Sequence, residues 1–135
     1  MATYEINTYN IYMIMYISAF VVLIVTLISH IIGMNGLYFH FPAYDIFMHI
    51  IGGIGIGLFL TAFIKSNLPN LRCKRSVLIV GVFIVGLVWE LFEMYFNIAG
   101  APVGTKAYYI DTIKDLTNDI IGATIVAVLF IKKSK

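Results

Sequence analysis

Residues 77–98 read VLIVGVFIVGLVWELFEMYFNI, and this stretch decides how the whole chain is read. It is long enough to cross a hydrocarbon core about 30 Å thick. It also carries Glu90 and Glu93 inside an otherwise apolar run. A carboxylate at bilayer depth costs several kcal/mol unless it is paired, protonated or wetted. Other parts of the chain are therefore expected to supply its partners.

Composition agrees with a membrane setting. The chain has 135 residues, 61% of them apolar and 12% charged, with a mean hydropathy of +0.94. Soluble domains carry about 25% charged residues. A soluble core of this size has no room for so much apolar surface, so the bilayer must act as solvent. Residues 1–135 are expected to form a single transmembrane domain. A net charge of +2 is too small to suggest a nucleic-acid partner, and membrane lipid is the expected neighbour. The single cysteine, Cys73, excludes an intramolecular disulfide.

Working outward, four spans are expected: 11–32, 45–64, 77–98 and 115–131. The chain therefore reads as an all-α, polytopic membrane protein, a four-transmembrane-helix bundle. The first ten residues lack the basic start of a signal peptide, and their tyrosines suit a headgroup zone. The first span has no formal charge before His30 and no small-residue cleavage site after it, so retention is expected. Gly33, Asn35, Gly36 and Pro42 mark a loop before the second span. Asp45 opens that span, where a carboxylate can cap the helix. Gly53 and Gly57 have the small-xxx-small spacing that lets helices approach. Residues 99–114 read as a loop before the short fourth span.

Basic residues set the expected orientation. Lys65, Arg72, Lys74 and Arg75 share one face with Lys132, Lys133 and Lys135, against Lys106 and Lys114 on the other. The positive-inside rule then places both termini and the Lys65–Ser76 loop in the cytoplasm, in a multi-pass protein of the plasma membrane.

With this topology the polar residues fall at one level. His30, Asp45, His49, Glu90, Glu93, Asp111, Asp115, Asn118 and Asp119 all lie in or near the outer halves of their spans. Asp45 and His49 are spaced i,i+4, Glu90 and Glu93 i,i+3, and Asp115 and Asp119 i,i+4, so each pair shares a helix face. In lipid such a stripe turns inward. Clustered carboxylates repel unless a proton or cation intervenes, and Asp, Glu and His suit zinc, manganese or iron. The expected divalent-metal ligands are Asp45, His49, Glu90, Glu93, Asp115 and Asp119, with Asp111 and Asn118 secondary. Glu90 and Glu93 are also the catalytic candidates. Each residue has a plainer reading. Asp45 is equally a helix cap, His49 a hydrogen-bond partner of Glu90 or Glu93, and His30 and His40 interfacial groups. Trp89 reads as lipid or interface packing.

Asp45-x-x-x-His49 with Gly52-Gly53, then Trp89-Glu90-x-x-Glu93, then Asp111-Thr-x-x-Asp115-Leu-x-x-Asp119-x-x-Gly122, resembles the YjdF-like small membrane proteins. The same order more distantly resembles the VanZ-like proteins linked to teicoplanin resistance. The resemblance runs from Tyr44 to about Val128. VanZ-like proteins often have Gln where Glu93 stands, and Lys106 is the nearest counterpart of their basic residue before the last acidic helix. The resemblance implies a four-helix or similar integral membrane protein and no settled reaction.

Three functions remain open from the sequence. One is an envelope-facing site using a metal for chemistry on, or recognition of, a lipid-linked substrate. Another is a proton- or cation-coupled small transporter, which at this length needs a homo-oligomer. The third is a structural subunit with a partner in a membrane complex.

Overall fold

The computed structural model describes residues 2–41, 43–68, 74–98 and 100–131. They form five helices: α1 (Ala2–Gly33), α2 (Leu37–His40), α3 (Ala43–Asn67), α4 (Arg75–Phe96) and α5 (Lys106–Phe130). The described residues contain no strand, in keeping with the all-α expectation. Arg72, Lys132, Lys133 and Lys135, used above for orientation, lie outside the described residues, as do Pro42 and Cys73.

Three segments are long and apolar enough to cross a membrane: Tyr9–Gly33, Ala43–Asn67 and Arg75–Phe96. Helix α5 has the length, but Lys106, Asp111, Lys114, Asp115 and Asp119 set it apart in composition.

The helix ends differ from the expected spans for local reasons. Residues 2–10 contain neither glycine nor proline, so α1 continues through them instead of starting at Ile11. Asn97 ends α4 in the left-handed region (φ 53°), where its N–H reaches the carbonyls of Glu93 and Met94. Helix α5 begins nine residues before the expected Asp115. Thr105 caps it, its hydroxyl accepting from the Tyr108 N–H at 3.3 Å. Hydropathy had marked that segment as loop, whereas the cap decides where the helix starts. The expected loop before α3 holds the single turn α2.

Helix α3 is central and packs against α1, α2, α4 and α5, while α4 also packs against α5. The backbone of α1 approaches only α2 and α3. At one end the core is apolar, with Ala19, Leu58, Ala62, Leu78, Val82, Ala123 and Val126 among its buried members. Two cations close that end. Lys65 Nζ donates to the Phe130 carbonyl at 2.9 Å and Arg75 Nε to the Ile131 carbonyl at 3.0 Å. They satisfy carbonyls that the end of α5 leaves free. The opposite end of the bundle gathers the polar residues.

Helices α3 and α5 touch through backbone. A Cβ on Gly53 would overlap the Asp119 carbonyl, and one on Gly122 would overlap the Ile50 carbonyl and approach Ile54 N to 2.8 Å. Backbone atoms at a helix crossing have no rotamer by which to retreat. Gly53→Ala and Gly122→Ala are expected to destabilise by about 1–3 kcal/mol each, the usual cost of overpacking. At Gly52 the nearest atom is Thr26 Cγ2 at 3.9 Å, an ordinary contact. Thermal unfolding in detergent should therefore show Gly52→Ala melting with the wild type and the other two clearly below it.

Candidate metal centre

The Gly53–Gly122 contact sets the register in which α3 and α5 face each other. One turn before Gly53 lies His49, and one turn before Gly122 lies Asp119. His49 Nδ1 and Asp119 Oδ1 are 3.3 Å apart, in a hydrogen bond between buried groups. The Asp119 carboxylate also lies against Gly86 of α4, where a Cβ would overlap Oδ2. Glycine at 86 thus leaves the room that lets the carboxylate sit between α3 and α4.

That bond orients the imidazole. With Nδ1 turned to Asp119, Nε2 points at two further carboxylates, 3.7 Å from Asp45 Oδ1 and 3.8 Å from Asp115 Oδ1. Both separations exceed hydrogen-bonding distance. Asp45, His49 and Asp115 each offer one ligand atom, all within 4.8 Å of one another. Asp115 is 3% exposed, and its Oδ1 has no hydrogen-bond partner. A buried carboxylate oxygen without a hydrogen bond is costly, because it has lost water and its nearest cationic groups stand beyond hydrogen-bonding distance.

Lys114 was counted above only for orientation, yet it sits in this site. Its ammonium lies 2.6 Å from Asp111 Oδ1, 3.0 Å from Asp45 Oδ2 and 3.8 Å from Asp115 Oδ1. The ammonium donates to Asp111 and faces the Asp45 carboxylate at hydrogen-bond distance, so its charge is met on two sides. The signal was present in the sequence, since Asp111 and Lys114 are spaced i,i+3. Lys114, not Lys106, is the basic residue beside the acidic face of α5.

The other expected site residues divide. Asp45 is no helix cap: α3 starts at Ala43, and the carboxylate lies inside the first turn facing Lys114. Glu93 lines the same pocket as Asp45, Asp111, Lys114 and Asp115, a cavity of about 500 Å³. Its Oε1 accepts from Trp89 Nε1 at 2.9 Å, so Trp89 holds a carboxylate as well as packing. Glu90 is buried, its Oε1 has no partner, and it lines neither this pocket nor the apolar cavity beside it. Asn118 is buried with Nδ2 unpartnered. Neither Glu90 nor Glu93 belongs to the compact three-residue group, and His49 pairs with Asp119 rather than with either of them. His40 bonds the Gly36 carbonyl within α2. His30 lines the pocket, its Nδ1 2.6 Å from the Tyr38 hydroxyl. Burial, then the charges of Asp45 and Glu93, push the Tyr38 phenol above its ordinary pKa, so it keeps its proton.

A family model described as "Predicted membrane protein (DUF2238)" matches residues 4–135. The chain belongs to this family. It is the family of the YjdF-like proteins, and the match takes in α1, which the motif resemblance left out. It lends no support to the VanZ-like resemblance. No curated protein and no solved structure matches the chain. Family and apolar helices together point to a membrane location.

Removing the ammonium should leave Asp45 and Asp111 facing each other uncompensated. The Lys114 side chain is 38% exposed, so solvent screens the loss. Lys114→Met is expected to lower stability by about 0.5–1 kcal/mol at low salt. Denaturation at two ionic strengths checks this, because the gap to wild type should shrink as salt rises.

Proposed function

We propose that Asp45, His49 and Asp115 hold a divalent metal ion in a pocket at the extracytoplasmic end of a four-span bundle. The orientation rests on the basic residues of the opposite end. Helix α5 serves as the fourth span, its polar face covered by α3 and α4, which lets acids sit at a depth that lipid would forbid.

The observation that carries this reading is the turn of the His49 ring. A histidine that donates one nitrogen to a carboxylate presents the other as a ligand, and metal-binding histidines are commonly fixed in this way. Ligand atoms around a tetrahedral ion with bonds of about 2.1 Å lie about 3.4 Å apart. The separations of 3.7 and 3.8 Å fall close to that edge. Three protein ligands leave a further position open, as catalytic sites do. The donor set suits zinc, manganese or iron.

The pocket is suited to the polar end of an amphiphilic envelope substrate. A bound metal would polarise a phosphoryl or carbonyl oxygen of such a molecule. Lys114 balances carboxylate charge and can donate to the substrate. Glu93, held by Trp89, is the carboxylate placed to accept a proton. Asp119 keeps the His49 ring in register.

A transport path finds less support. Among the described residues, the end opposite the pocket is filled by Leu58, Ala62, Leu78, Val82 and Val126, with the Thr61 hydroxyl buried and unpartnered beside Ala62.

Stripped protein titrated with zinc or manganese should take up one ion per chain. His49→Ala and Asp115→Asn should abolish uptake, and Asp119→Asn should weaken it by about 10–100-fold, as loss of an orienting partner does. Glu90→Gln should bind as wild type. Absence of uptake, or uptake indifferent to His49→Ala, overturns the reading. Calorimetry with elemental analysis supplies both measurements.

A further inference from the structure

A second cavity, of about 260 Å³, lies beside the polar pocket. Leu23 and Leu27 of α1 wall it on one side and Val82 and Val85 of α4 on the other, with α3 as its floor. The backbones of α1 and α4 do not meet. At the polar end the gap is bridged by side chains alone, the His30 ring standing edge-on to Trp89 with centroids 5.2 Å apart. Leu27 and Val85 form the rim, 50% and 38% exposed. Glycine at 52 keeps the floor open, with only Thr26 within 4 Å of where a Cβ would stand.

Two features tie this cavity to the polar pocket. His30 and Tyr38 line both. His49 and Asp119 also line it, so the hydrogen-bonded pair of the polar site borders a largely apolar space.

We propose that the cavity receives one acyl chain of a bilayer phospholipid, entering sideways between α1 and α4, with the head group directed past His30 to the Asp45–His49–Asp115 pocket. The inference deepens the metal-site reading and rests on it for the head-group end. Water cannot fill such a cavity well, because its walls offer too few polar partners. An empty cavity forfeits dispersion contacts along its whole lining. The medium outside the rim is hydrocarbon chain, present at high concentration and of the right chemistry. Moving a chain from lipid into this cavity gains no hydrophobic free energy, since lipid tails are as apolar as leucine. Selection must then come from the head group, and the shared lining of the two cavities gives the chain and the head group adjoining seats.

The test uses the full-length protein in liposomes that contain phosphatidylglycerol with a diazirine in its acyl chain. After illumination, peptide mass spectrometry should find labelling at Leu27, Met48 and Val85 about tenfold above that at Val80 and Leu129, which face outward; tenfold corresponds to about 1.4 kcal/mol of preference. Gly52→Leu, which fills the floor, should remove the excess while the protein still melts cooperatively. If that variant does not fold, Val85→Trp at the rim is expected to do the same. Uniform labelling, or an excess that persists in the filled variants, overturns the proposal. Stronger labelling by a polyprenyl-phosphate probe overturns the acyl assignment. Metal uptake measured on the same samples separates the two readings: uptake without labelling removes the chain seat alone, and labelling without uptake removes the metal alone.

Discussion

The close backbone approach of α3 and α5 at Gly53 and Gly122 is the constraint on which the rest depends. It is a contact that no side chain can mediate, because carbonyl and amide atoms occupy the place of both Cβ atoms. Once it is made, His49 has no choice of neighbour: one turn toward the polar end, Asp119 and Asp115 stand opposite. Helix α4 then lies where Gly86 can receive the Asp119 carboxylate. Small residues in membrane helices are usually valued for packing. Here they also fix which polar groups meet.

Much of this was legible in the chain. The apolar runs gave three helices their place, and the i,i+4 spacings of Asp45 with His49 and Asp115 with Asp119 put those groups on facing stripes. What remained hidden follows from the kind of information spacing carries. Periodicity says that Glu90 and Glu93 are neighbours on a helix. Yet three residues leave them about 60° apart around the axis, and that angle sends Glu93 to the pocket and Glu90 away from it. Lys114 was overlooked because hydropathy placed it in a loop. The helix actually begins at the Thr105 cap, which brings Lys114 onto the same face as Asp111. The Trp89–Glu93 bond joins residues four apart, one turn along the same face, whereas Trp89 and Glu90, adjacent in sequence, point apart.

The two ends of the bundle differ in what satisfies them. One is held by interdigitated aliphatic side chains and closed by Lys65 and Arg75 on the last carbonyls of α5. The other is held by hydrogen bonds and ion pairs around His49, with several buried atoms still lacking partners. At the apolar end the one such atom among the described residues is the buried Thr61 hydroxyl, and the rest of the core there is aliphatic. At the polar end the Asp115 Oδ1 likewise lacks a hydrogen bond, with its nearest cationic groups, His49 and Lys114, each 3.8 Å away.

The ammonium of Lys114 has one more consequence. A chain whose acids depended on an inorganic ion for neutrality would cross the translocon carrying naked negative charge. This chain brings its own counter-charge on the residue next to Asp115, so the acids of the pocket are balanced in part by a group that the same helix carries.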